Sequence, residues 1–165
     1  MKRVYTQTFG VAGAIIERNG KILLVKEAMN TNKSDTAKGK WNHPAGWIDI
    51  GENPIDAAKR EVEEETGFKF TPTHILGIYS LVRKDLVKIG EKLKHPIKII
   101  FTGIISEKEN NNLSGDISEK KWFTPEEIDN MDEKILRDLD IKKMVKDYFS
   151  GKRYPLDTIT HTIVE

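Results

Sequence analysis

Glu61, Glu64 and Glu65 stand at positions i, i+3 and i+4 in a stretch whose apolar residues Ile55, Ala58 and Val62 recur at helical spacing. Each residue of an α-helix advances by about 100°, so the apolar residues form one stripe and the glutamates share the adjacent face. Carboxylates crowded on one turn repel one another unless a cation sits among them. Oxygen-only donors suit a hard cation, and coordination completed by water and phosphate suits Mg2+ or Mn2+. Arg60, four residues before Glu64, is close enough to hold a glutamate by a charge-assisted hydrogen bond. An acidic run alone is more often a solvated helix face, here with Lys59 and Arg60 as partners. The surrounding residues therefore decide the reading.

The elements that must position this face can be read from local signals. Asn53 can cap a helix, Pro54 suits its first position and Asp56 favours the positive end of its dipole. The helix runs to about Thr66, and Gly67 supplies a left-handed cap. Upstream, Phe9 to Ile16 and Ile22 to Val25 are apolar runs around Asn19-Gly20, a two-residue hairpin signal. They read as two antiparallel strands buried on both faces, because the apolar residues do not alternate with polar ones. Met29 to Lys40 reads as a loop that ends at the tight segment Trp41-Asn42-His43-Pro44-Ala45-Gly46.

Downstream, Ile75 to Val82 and Ile97 to Ile105 read as strands on either side of the basic stretch from Arg83 to His95. Glu107 to Gly115 reads as a loop and Lys120 to Phe123 as a short strand. Thr124-Pro125-Glu126-Glu127 is a capping-box helix start. Residues from Ile135 to Phe149 recur at helical spacing as a final amphipathic helix that Gly151 ends. Together these predict a mixed α/β architecture in one domain over residues 1–165.

Composition narrows the function classes. Lysine and arginine total 27 against 26 acids, and a net charge of +1 argues against a general nucleic-acid-binding surface. The absence of cysteine removes disulfides, thiolate catalysis and cysteine-ligated zinc, and fits a cytoplasmic setting. No apolar run reaches the roughly 18 residues of a membrane span.

Gly46, five residues, Glu52, seven residues and then Arg60-Glu61-Val62-Glu63-Glu64-Glu65-Thr66-Gly67-Phe68 matches the Nudix box at every specified position. At average residue usage such a match arises by chance on the order of once in 10⁹ starting positions. From the hairpin to the closing helix, the whole chain resembles a single-domain Nudix hydrolase of the MutT-like type. The resemblance implies a mixed sheet between helices, an α/β/α sandwich, and hydrolysis of a nucleoside diphosphate linked to another moiety.

Carried over by position, it implies that Glu61, Glu64, Glu65 and the Ala45 carbonyl bind the metal, with Arg60 and Glu52 orienting them. Asp116 is the expected distal acid, with Glu119 as the alternative, and Asp116 also reads as a plain turn residue after Gly115. Glu61 is the choice of general base, although in some subfamilies the base lies in the later loop.

Trp41-Asn42-His43-Pro44-Ala45-Gly46 and Ser150-Gly151-Lys152-Arg153-Tyr154-Pro155-Leu156 resemble the NudJ-like branch of nucleotide and thiamine-pyrophosphate phosphohydrolases. The lysine-rich Lys33–Lys40 loop and Trp47-Ile48-Asp49 depart from that branch near the expected substrate mouth.

Candidate substrate contacts are Trp47 and Tyr79 for stacking, Arg83 for phosphate and His43 beside the box. Trp41, Tyr154, Lys84, Lys92 and Lys94 are weighed beside them, against ordinary burial or solvation. The expected partner is a small, phosphorylated, nucleotide-like molecule, and the family admits a homodimer. An isoprenoid-diphosphate isomerase is set aside for want of a cysteine. A ligand sensor on the same scaffold would have lost box glutamates, and an RNA-cap hydrolase would want a basic groove.

Overall fold

The computed structural model describes residues 8–30, 37–82, 84, 95–109 and 114–164. Strands β1 (Thr8–Ala14), β2 (Glu17–Arg18), β3 (Lys21–Glu27), β4 (Trp41–Asn42) and β5 (Ala45–Trp47) precede helix α1 (Pro54–Thr66). Strands β6 (Phe68–Ser80), β7 (His95–Glu109) and β8 (Ile117–Phe123) follow, then helices α2 (Pro125–Asp129) and α3 (Asp140–Phe149).

One sheet has the order β5-β1-β7-β6, with β1 parallel to β7 and the other neighbours antiparallel. In the other, β3 pairs with β8 along its length and with β2 and β4 at its two ends. Residues 12–16 and strand β3 bury both faces, which is why their apolar residues run together. Ile15, Ile22, Leu24, Leu76 and Ile100 join Ile128, Ile141 and Met144 under α2 and α3. Ala14, Ile16, Leu23, Ile75 and Phe101 meet Ala57, Ala58 and Val62 under α1. The result is the expected α/β/α sandwich with a core on each side of the sheets.

Helix α1 forms as its sequence dictates. Asn53 Oδ1 accepts from the Ile55 N–H at 2.9 Å, and Gly67, at φ 77°, donates its N–H to the Glu63 carbonyl. In α2, Thr124 and Glu127 form the reciprocal capping box. Asn19 (φ 54°) and Gly20 (φ 77°) make the hairpin turn.

Four local readings change, the simplest being that β8 begins at Ile117 rather than Lys120. The hairpin joins β2 to β3, whereas β1 lies in the other sheet; the chain crosses between sheets at Ile15 and Ile16, which bond to Phe101 and Leu23. Both β6 and β7 are longer than expected, because they pair from Phe68↔Glu109 to Ser80↔Ile97 through bulges that absorb Pro72. Glu107–Glu109 is thus strand, while 110–113 lies outside the described residues. The last helix begins only at Asp140. Before it, Trp41 donates to the Ile135 carbonyl and accepts from the Arg137 N–H, and this extended pairing displaces helix there.

After Gly151 the chain folds back along the edge strand β6. Ile75 and Tyr154 exchange backbone hydrogen bonds at 2.9 and 2.8 Å, and Leu156 and Ile159 pack against the α1-side core. Among the described residues no helix is long and apolar enough to cross a membrane.

Gly13 lies opposite Ala45, where β1 meets β5, and a Cβ there would approach the Pro44 carbonyl oxygen to 2.7 Å and collide with the Ala45 side chain. Gly13→Ala is expected to cost about 1–3 kcal/mol by overpacking. Thermal denaturation should show it as a fall in Tm of several degrees, and an unchanged Tm would contradict the close approach.

Candidate active site

The two short strands beside α1 bring its glutamates against backbone. A Cβ on Gly46 would fall inside the carboxylate of Glu61, so the glycine is what lets that carboxylate lie on the β5 backbone. Glu65, 5% exposed, accepts from the Ala45 N–H at 3.0 Å. Glu64 is half exposed at the helix edge.

Arg60 ties the array together. Its Nε and Nη2 grip both oxygens of Glu52 at 2.8 and 2.9 Å, Nη1 donates to Glu61 at 2.6 Å, and Nη2 also donates to the Trp47 carbonyl at 3.0 Å. The bond from Arg60 holds the Glu52 carboxyl below its ordinary range, and Glu52 with Glu61 raises the guanidinium further above its own. Glu52 is itself set by the Asp49 N–H.

These groups line a cleft of about 490 Å³. Its wall includes Ala45, Gly46, Glu61, Glu64, Glu65 and Trp47, and Ser114 and Asp116 come from the turn before β8. That turn is docked on the helix, since the Ser114 N–H donates to the Glu64 carbonyl at 2.7 Å. Asp116 thus joins the box residues in one cleft, whereas Glu119 pairs with Lys26 and is not among the lining residues.

His43 also lines the cleft. It is fully buried, and neither ring nitrogen has a hydrogen-bond partner among the described residues. Burial, with Lys98 and Arg137 nearby, lowers its pKa to about 3, so the imidazole is neutral. Trp47, 47% exposed, stands at the rim with its ring braced edge-on by Phe9 at 4.4 Å between centroids.

Other candidates fall elsewhere. Tyr79 donates its hydroxyl to Asp147 of α3 at 3.0 Å and, with Tyr154, lines a separate cavity at the β6 edge. Trp41 is buried against Phe123. Arg83, Lys92, Lys94 and residues 33–36 of the lysine-rich loop lie outside the described residues.

The sequence reading missed the inner end of the cleft, where Asn42, Lys98, Arg137 and Asp138 join His43. A lysine among Ile97, Ile99 and Ile100 was the available signal, since a charge in an apolar strand needs a partner.

Among the described residues no three His, Asp or Glu side chains converge into a ready-made ligand cage. The donor chemistry nonetheless fits a hard cation. Glu61, Glu64, Glu65 and Asp116 offer only oxygens, and Gly46 leaves room for a carboxylate directly on the backbone of β5.

A carboxylate helix docked on a sheet edge, beneath an arginine clasp, defines a hydrolase of the Nudix type. The NUDIX domain family model matches residues 6–147. Phosphatase NudJ of Escherichia coli (strain K12) is 30% identical over 145 residues, covering 88% of this chain and 86% of that protein. A NUDIX hydrolase from Nitrosomonas europaea superposes with a TM-score of 0.79 at 30% identity, covering 94% of this chain and 98% of that one. The MutT protein from Methanosarcina mazei Go1 gives a TM-score of 0.70 at 25% identity, covering 92% of this chain and all of that one. The chain belongs to the Nudix family, as a pyrophosphohydrolase.

Because Gly46 meets the mobile end of Glu61 rather than backbone, Gly46→Ala should displace the carboxylate at little cost to folding. The expected result is a Tm within a few degrees of wild type and turnover lower by about 100-fold, the scale of a 1 Å misplacement. Steady-state rates beside a melting curve would check it; full activity would show that Glu61 need not lie against β5.

Proposed function

We propose that the chain, working as one domain over residues 1–165, hydrolyses the diphosphate linkage of a small nucleotide-like substrate with the help of Mg2+, for which Mn2+ can substitute. The observation that carries this reading is the single cleft wall shared by Glu61, Glu64, Glu65, the backbone at Ala45–Gly46 and Asp116. The Escherichia coli relative is a phosphatase by name, which adds support for a phosphorylated substrate.

In this reading Glu61, Glu64, Glu65, Asp116 and the Ala45 carbonyl hold the cation. Once bound, it neutralises charge on the diphosphate oxygens. Glu61 accepts the proton of a water that attacks phosphorus in line, as the bond from that phosphorus to the leaving oxygen breaks. Arg60 and Glu52 keep Glu61 aimed, and Glu64 shares the same turn. Trp47 stacks on the organic group at the rim, and neutral His43 borders that group deeper in.

The test is a phosphate-release assay with Mg2+ or Mn2+ over nucleoside di- and triphosphates, nucleotide sugars, dinucleoside polyphosphates and thiamine pyrophosphate. At least one should be cleaved, and EDTA should abolish the activity. Glu61→Gln should lower kcat by about 10²–10⁴-fold, and Glu64→Gln should lower it in parallel with metal affinity. Silence across the whole panel with both metals would overturn the reading.

A further inference from the structure

Lys98 lies in β7 between Ile97 and Ile99, yet it is only 3% exposed. Its ammonium reaches Asp138 and Asp140, each at 2.9 Å. Asp140 opens α3, and Asp138 lies in the segment before it and lines the cleft with Lys98 itself. The neighbouring Arg137 pairs at 2.7 Å with Glu27 of β3, which is 1% exposed. The main chain at Ile135 and at Arg137 is hydrogen-bonded to Trp41. The inner wall of the cleft is thus a segment tied to the sheets by ion pairs through Lys98 of β7 and Glu27 of β3.

Lys98 lies equally close to both acids, but their carboxyls shift in opposite directions. Burial alone would raise the Asp138 carboxyl, but Lys98 and Arg137 outweigh it and hold the group below its usual range. For Asp140 burial prevails over Lys98, and the carboxyl is raised. Of the two acids, Asp138 is the one that lines the cleft. Apolar side chains of similar volume often stabilise a fold as well as a buried ion pair does, so folding alone does not call for this one. Beside Asp138, Asn42 Oδ1 and both ring nitrogens of His43 are buried with no hydrogen-bond partner among the described residues. Buried polar atoms in native proteins are almost always paired, and those that are not call for an explanation. Here they border the same cleft.

We propose that Lys98 is a positioning residue for substrate binding: it fixes Asp138 at the inner end of the cleft as an acceptor for the organic group attached to the diphosphate. That group then carries N–H or O–H donors, as the amino edge of a heterocycle does. Asn42 Oδ1 and the His43 ring, buried without hydrogen-bond partners among the described residues, border the same end of the cleft. The inference rests on the diphosphate-hydrolase reading.

The test takes whichever panel substrate turns over best and measures KM and kcat separately. Lys98→Met and Asp138→Asn are each expected to raise KM by about 10-fold or more, with kcat within about 3-fold, because contacts equal in ground and transition state show in KM. The double variant should be no worse than either single one, since both remove the same contact. Asp140→Asn leaves the Lys98–Asp138 pair intact and should leave KM unchanged, whereas a purely structural lysine would respond to loss of either acid. If Lys98→Met does not fold, the contrast between Asp138→Asn and Asp140→Asn carries the test. An active wild type whose KM is the same in Asp138→Asn, or whose losses fall in kcat, overturns this inference alone. A wild type inactive on every panel member overturns the hydrolase reading and this one together.

Discussion

Glu61, Glu64 and Glu65 crowd one face of a helix and repel each other, and Arg60 is the counter-charge that offsets them. Its planar fork grips Glu52 with two nitrogens and still reaches Glu61 and the Trp47 carbonyl. A lysine, with a single nitrogen, could not make those bonds in fixed directions. The clasp therefore joins the turn before α1, the helix itself and β5. Neither the position of Glu61 nor that of the rim at Trp47 is independent of it.

The sheets make the clasp possible by presenting β5 at the right distance. β5 pairs with β1 in the register Val11↔Trp47, Ala12↔Gly46 and Gly13↔Ala45. Because Gly13 has no side chain, Ala45 can come close enough for its N–H to reach Glu65. On the helix side Ala57, Ala58 and Val62 are fully buried, so the docked face of α1 fixes where the glutamates emerge. Small residues at both contacts thus translate packing into the placement of charge, and interiors this dense leave little room for slippage.

What was legible in the sequence is what is local. Asn53, Pro54 and Gly67 bound α1, Thr124 and Glu127 bound α2, and Asn19-Gly20 turn the hairpin, each through contacts within a few residues. The box residues were legible because their spacing on one helix already implies a shared face. Less visible was whatever pairing over long distances decides. The crossing at Ile15–Ile16, the full length of β6 and β7, and the extended run at Ile135–Arg137 all depend on partners far along the chain. Tyr79 illustrates the cost: its type suits stacking, but its strand face turns it toward Asp147 rather than the cleft. The two stretches outside the box likewise separate. Asn42, His43, Ala45 and Gly46 line the cleft, whereas Ser150–Leu156 leads into the segment that pairs with the edge strand β6 at Ile75 and Tyr154.

The charge balance of the cleft bears on how substrate enters it. Glu61, Glu64, Glu65 and Asp116 line one part, and Lys98 and Arg137 line the inner end. Those cations already face carboxylates of their own, Lys98 between Asp138 and Asp140 and Arg137 on Glu27. The lining is therefore acidic, and low-dielectric walls strengthen that field at close range. If the substrate is the diphosphate proposed above, these carboxylates would repel it when it approached bare. In the proposed reading a cation between them would relieve that repulsion, and substrate affinity would then follow metal affinity.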